Sequence, residues 1–465
     1  MTVKARNELC LTLALLAYAA ARLTPPMAGL TEASQAAMGV AIAGMILWIF
    51  EAVPIGVTAL IVIVLLALNP GMKLGDAVHG FTSEVTFFLI GVSAIGAAVE
   101  ASGLAQRAAR FLALSARGNP SRLYIQMIVS LPALAFLVPS AITRNAIMIP
   151  AYREALDRME VPRDGRTGRA LMLALGMLNP LASSALLTGG IASIAAATLL
   201  GGFSWLHWFS LMAVPYYALI FLGGLYLRFM VGEFEPARPP AHPVEPPPAA
   251  APFSTPERRT LIVLAITALL WLTDSWHRLS PAIPALMAAV VLLSPSLGVI
   301  NWKTFESKLS WGLILTVGAS ISLARAMTDS GAAAWLGNLA VGHLEAVATV
   351  PIAVLVLLVI AVATVHLAIT NLAACLALLI PIAVTIAEAA HLNPVLCGLV
   401  VTLTVDAVIL YPVQTAANLL AYEAGYFSSA DVRRLGLGML ALTIVVVLLV
   451  LPYWSMLSLP LRSSI

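Results

Sequence analysis

Charge is what this sequence has least of: 10% of its 465 residues are Asp, Glu, Lys or Arg, against 61% hydrophobic, and the mean hydropathy is +0.97. An ordinary soluble domain is about a quarter charged, so a water-exposed globular surface is excluded. Cysteine is scarce too. Cys10, Cys375 and Cys397 are odd in number and sit in apolar surroundings, which excludes a disulfide framework and marks them as packing residues. The long hydrophobic runs lack a period-two alternation of apolar and polar residues, which excludes a transmembrane β-barrel. The glycine-rich G-x-x-x-x-G-K-[ST] loop that cradles nucleotide phosphates is absent, and the histidines show no metal-ligand spacing. No nucleophile with its base stands within a span, so the chain does not read as an enzyme. A formal net charge of only +3 argues against nucleic acid or another acidic partner.

What is present is apolar sequence long enough for lipid. "CLTLALLAYAAARL", Val85 to Val99, Leu261 to Leu272, "VATVPIAVLVLLVIAVATVHLA" and "GLGMLALTIVVVLLVLPYW", taken with their flanks, reach the roughly 18 residues that cross a bilayer as helix. Helices satisfy the backbone where no water can, so the fold class is an all-α integral membrane protein of about eleven spans. The first apolar segment counts as a span, because no small-residue cleavage site follows it.

One linker stands out, "EFEPARPPAHPVEPPPAAAPFSTP", whose prolines favour an extended loop outside the membrane. It divides the chain into residues 1–232, a Pro-rich linker at 233–258, and residues 259–465. Landmarks recur across it at a near-constant offset. "AIT" at Ala141 returns at Ala368 (368 − 141 = 227), Gly103 of "ASGLA" returns as Gly331 of "DSGAA" (331 − 103 = 228), and Thr188 returns as Thr415 (415 − 188 = 227). Agreement over so long a stretch points to an internal duplication. Arg153, Arg158, Arg163 and Arg166 follow the first polar stretch, whereas no Lys or Arg occurs between Arg325 and Arg433. By the positive-inside rule the two halves are inverted, the linker and the N-terminus are cytoplasmic, and the protein belongs in the cell's inner (plasma) membrane. Inverted repeats with a site at their interface are typical of secondary transporters.

The polar stretches fall at matching places. "FLVPSAITRNAIMIPAY" interrupts apolar sequence with Pro139, Ser140, Thr143, Arg144 and Asn145, and predicts a re-entrant hairpin near 125–158. "HLAITNLAACLALLIP" predicts its partner near 352–390, with Thr370 and Asn371 at the tip. Helix N-termini meeting from opposite sides suit an anion. "NPLASSALLTGGIAS" and "DAVILYPVQTAAN" carry Gly, Pro and small hydroxyl residues in mid-span, as broken helices do where carbonyls hold cations. "ASGLAQRAARFLALSARG", with Arg107, Arg110 and Arg117, reads as an amphipathic helix in the interface.

These residues resemble the divalent anion sodium symporter family of dicarboxylate, citrate and sulfate transporters, from Gly80 to Leu437. "GFTSEVTFFLIGVSAIGAAVEASGLAQRAA" and "LSWGLILTVGASISLARAMTDSGAAAWL" look like its paired segments ahead of each hairpin. "YPVQTAANLLAYEAGYF" is similar to its second broken helix, Pro-Val-Gly-Thr-Pro-Pro-Asn, through Pro412, Val413, Thr415 and Asn418, with Gly425, Tyr426 and Phe427 beyond. Gln414, Ala416 and Ala417 depart from that pattern, and Ala141 and Ile142 stand where the family's Ser-Asn-Thr tip continues after its serine. The resemblance implies a homodimer in lipid, an elevator-like transport unit on a fixed scaffold, a small anionic substrate such as a C4-dicarboxylate, sodium as coupling ion and no other cofactor. A sodium-independent exchanger and a sulfate carrier are the alternatives. Candidate substrate-binding residues are Ser140, Thr143, Arg144, Thr370, Asn371 and Thr415; candidate cation-binding residues are Ser140, Asn145, Thr188, Thr370, Asn371, Asn418 and Asp406. Arg144 would pair with an anion, replace a sodium, or snorkel from a shallow helix end. Asp406 would ligate a cation, carry a proton, or pair with Arg144.

Overall fold

The computed structural model describes residues 3–50, 52–236, 252–342, 350–369 and 372–462. Among them every regular element is helical. Among the described residues, seven helices are long and apolar enough to cross a membrane, and four shorter apolar helices of 10–17 residues lie among them. Leu225, Phe229, Val290 and Leu449 are exposed on such helices, as lipid-facing side chains are.

Local chemistry sets the helix ends. Asn119 accepts the Arg122 N–H and Pro120 opens Pro120–Leu137 with its φ already fixed. Ser428 with Asp431 forms a capping box ahead of Ser429–Met456. Gly103 ends Glu84–Ser102 with φ +82°, and Gly331 follows Trp311–Asp329 with the same φ, a left-handed turn that costs glycine nothing. Two landmarks of the sequence repeat therefore share one backbone conformation.

The element order also recurs. A long helix, a shorter helix after the glycine, two hairpin arms and a broken helix run from Glu84 to Leu199, and the same series runs from Trp311 to Glu423. The stretch expected to form the first hairpin holds two helices, Pro120–Leu137 and Ala141–Arg158, and the second holds Pro351–His366 and Leu372–Ala389. The first tip is narrower than its polar residues suggest. Only Val138, Pro139 and Ser140 are non-helical, and Thr143, Arg144 and Asn145 lie in the first turns of the returning arm.

At the centre lie two stretches, 170–179 and 396–409, in which every residue is buried. They belong to the two broken helices. Thr402 and Thr404 are tolerated there because each hydroxyl returns to the carbonyl four residues back, at 2.8 and 2.7 Å.

Both described ends of the Pro-rich linker are tied down; residues 237–251, the greater part of it, lie outside the described residues. Glu235 folds back over the start of Arg166–Met177, taking the N–H groups of Arg166 and Thr167 at 2.6 and 3.0 Å and the Thr167 hydroxyl at 2.5 Å. Burial alone would raise the Glu235 carboxyl, but these donors outweigh it and hold it below its ordinary value. On the far side the chain is helical again from Thr255. Glu257 there meets the amphipathic helix Leu104–Ser115 through a two-pronged pair with Arg107, at 2.6 and 2.9 Å.

Candidate functional site

Ser140 opens the returning arm of the first hairpin, its hydroxyl accepting the Thr143 N–H at 3.3 Å. The cap leaves Ser140 exposed and Thr143 half-buried, and turns Arg144 and Asn145 inward, where both are buried.

Arg144 is 1% exposed, so it does not snorkel. Its guanidinium has five N–H groups, and five acceptors meet them. Nε donates to Asn179 Oδ1 at 2.7 Å. Nη1 donates to the carbonyls of Val138 and Pro139 at 2.5 and 3.0 Å. Nη2 donates to the Asn179 carbonyl and to Ser183 Oγ at 2.7 and 2.8 Å. Every acceptor is neutral. The cation thus stitches the hairpin tip to the short helix Asn179–Ser184 of the first broken helix.

Asn145 spends its amide in the same way. Its Nδ2 donates to the carbonyls of Leu175 and Ala417, both at 2.9 Å, and its Oδ1 accepts from Asn179 Nδ2 at 2.8 Å. Leu175 belongs to the first broken helix and Ala417 to the second, so one side chain joins the first hairpin to both. Asn179, not anticipated as a hub, takes part in the Arg144 and Asn145 bonds and also reaches the Ala141 carbonyl at 3.2 Å.

Close packing shapes the break that follows. A Cβ on Gly189 would stand 1.9 Å from the Ser183 carbonyl oxygen, so only glycine lets the chain turn back against this helix. Thr188, beside it, accepts from the Trp205 indole at 3.4 Å and stands apart from the Arg144 cluster's hydrogen bonds.

The second broken helix carries Asp406, which is buried and accepts the Tyr216 hydroxyl on Oδ2 at 2.6 Å. Arg144 and Asp406 therefore spend their bonds on different partners, Arg144 on Asn179, Ser183 and the hairpin carbonyls and Asp406 on Tyr216, without forming the ion pair that the sequence left open. Tyr216 was missed; its signal was Pro215 followed by two tyrosines inside an apolar span.

Beyond Asp406 the chain unwinds. Thr415, half-buried, caps Ala416–Glu423 by accepting the Asn418 N–H at 3.3 Å. Asn418 is fully buried, and its Oδ1 has no hydrogen-bond partner, lying against Gly176. Thr370 and Asn371, expected at the second tip, lie outside the described residues. Ser140, Thr143, Arg144, Asn145, Thr415 and Asn418 are thus tied into one polar region through Asn145 and the Ala417 carbonyl.

Several helices long and apolar enough to cross a membrane, with interrupted helices and buried polar side chains at the breaks among the described residues, define a polytopic membrane transporter. The model of the sodium:sulfate symporter transmembrane region matches residues 5–459, and the chain belongs to that family. A relative from Cupriavidus necator, described as a membrane protein, is 26% identical over 448 residues, which cover 89% of this chain and 85% of the relative. The sodium-dependent dicarboxylate transporter SdcS of Staphylococcus saprophyticus is 22% identical over 437 residues, or 87% of this chain and 82% of SdcS. Among solved structures, the Alcanivorax borkumensis YdaH transporter matches with a TM-score of 0.57 at 16% identity, covering 83% of this chain and 88% of that one, a likeness of fold.

Proposed function

We propose that this chain carries a small divalent anion, a C4-dicarboxylate first among them, and that Arg144 supplies as a fixed charge what a bound cation would supply in the first half of the site. The carrying observation is the set of five neutral acceptors around a guanidinium that is 1% exposed. An uncompensated charge at that depth is costly, and such charges mark substrate or ion paths. A dianion arriving between the hairpin tips lowers that cost. The hydroxyls of Ser140, Thr143 and Thr415 and the N-terminus of Ala141–Arg158 are the donors that meet it. The sodium-dependent dicarboxylate transport named for SdcS supports the substrate class. The recurring element order and the arginine asymmetry support two inverted repeats with the N-terminus cytoplasmic, and the family resemblance is what suggests elevator motion in a homodimer.

Sodium does not fit the first half. The Val138, Pro139 and Asn179 carbonyls that would coordinate it already accept from Arg144. A guanidinium cannot dissociate to the other side, so this half-site draws no energy from an ion gradient, which favours exchange of one anion for another. Uptake of labelled succinate into proteoliposomes tests the proposal. Uptake that requires succinate inside and ignores sodium is expected. Uptake driven by an inward sodium gradient into empty vesicles would reject the exchange reading, and transport of sulfate but no dicarboxylate would reject the substrate class.

A further inference from the structure

Gln414 stands where the family pattern resembled above has glycine, and the structure shows what its side chain does. It is 1% exposed and turned back into the break of its own helix. Its Oε1 accepts the Leu410 N–H at 2.8 Å. Because a backbone N–H can only donate, the amide oxygen must take that place, and Nε2 is left facing carbonyls. It donates to the carbonyls of Val408 and His366 at 3.3 and 3.4 Å. The Leu367 carbonyl beside them accepts the Tyr411 hydroxyl at 2.9 Å.

The pattern is that of Arg144 by another route. In the first half a donor side chain occupies carbonyls at the end of a hairpin arm, Val138 and Pro139, and one on the broken helix, Asn179. In the second half a donor side chain occupies His366, at the end of a hairpin arm, and Val408, on the broken helix. His366 and Pro139 are separated by the repeat offset itself (366 − 139 = 227). Unwound carbonyls at such breaks are what coordinate a coupling cation. A carbonyl whose lone pair faces an amide N–H points at a donor and not at open space.

We propose that Gln414 is an internal substitute for a cation in the second half, so that neither half of this carrier binds sodium. The inference rests on the anion-carrier reading only for its meaning. Its observations concern cation binding alone, and so does its test. The purified wild type and the variants Gln414→Gly and Gln414→Glu are unfolded thermally with sodium titrated against choline at constant ionic strength, with potassium as control. Glycine removes the amide and releases the carbonyls; glutamate keeps the length and puts a carboxylate oxygen where Nε2 was, so one variant serves where the other fails to fold.

A wild-type unfolding temperature that ignores sodium is expected. The variants are expected to show a saturable, sodium-selective rise, with affinity about tenfold or more above wild type. Saturable sodium stabilisation of the wild type would overturn the proposal, as would folded variants that remain indifferent to sodium. Neither result depends on succinate, so a failed uptake experiment leaves these curves readable, and sodium binding by the wild type would leave anion carriage standing.

Discussion

Replacing Arg144 by glutamine separates the structural from the electrostatic part of the argument. The glutamine amide has two N–H groups, so at least three of the five acceptors lose their arginine donor (5 − 2 = 3), and of these the Pro139 carbonyl keeps a second one, the Ser183 hydroxyl at 2.8 Å. A buried acceptor left unpaired costs about 1–3 kcal/mol. The loss is partly offset because an unpaired charge is no longer buried. A net destabilisation of about 2–5 kcal/mol follows, readable as a lower unfolding temperature in lipid nanodiscs. The electrostatic part is separate. A unit charge about 7 Å from the nearer anionic charge of the substrate, at an effective dielectric constant near 20, contributes about 2 kcal/mol. In sodium-free buffer the affinity for the dianion should therefore fall roughly thirtyfold, by equilibrium binding of labelled succinate. Sodium should restore part of it, because the Val138 and Asn179 carbonyls lose their arginine donor. Arg144→Lys keeps the charge but has three donors for five acceptors, and should bind better than Arg144→Gln without sodium. Unchanged sodium-free binding by the glutamine variant would refute the assignment of Arg144 as the resident cation.

Two further predictions concern groups around the site. Tyr216→Phe removes the hydroxyl that Asp406 Oδ2 accepts at 2.6 Å and should destabilise the protein by about 1.5–3 kcal/mol, whereas Asp406→Asn, which still offers an oxygen to Tyr216, should cost less; the reverse order in thermal unfolding would show that the bond does not hold the helices together. Glu235, held below its ordinary value near 4.5 by Thr167 and two backbone N–H groups, contributes stability that is complete above that value and is lost as pH falls through its lower, folded value. Glu235→Gln should therefore lower the unfolding temperature at neutral pH and flatten the acid limb of the stability profile; an acid limb as steep as that of the wild type would place its cause elsewhere.

Local physical chemistry is what sequence patterns carry, and the elements that depend on it alone were readable. Length and apolarity required helices, because lipid offers the backbone no partner. Pro139 followed by Ser140 marked the break between two helices, since proline stops the first and serine caps the next. Gly103 and Gly331 marked equivalent turns, since both need φ near +82°. The residue types at the breaks were readable for the same reason.

Their partners were not. Arg144 was conspicuous, yet pairing with an anion, replacing a cation and snorkelling all suited the same tripeptide, and only the approach of Asn179 and Ser183, 35 and 39 positions away, shows its donors consumed by the protein. Asp406 meets Tyr216 across 190 positions, with no spacing to announce it. Gln414 was visible as a departure from a pattern, but whether it disrupts the break or fills it depended on which carbonyls came within reach of its amide. Hydrogen-bond saturation is a property of distances between segments remote in the chain. Sequence alone determined which groups sit at the breaks of the helices; the tertiary structure decided which of them are already satisfied.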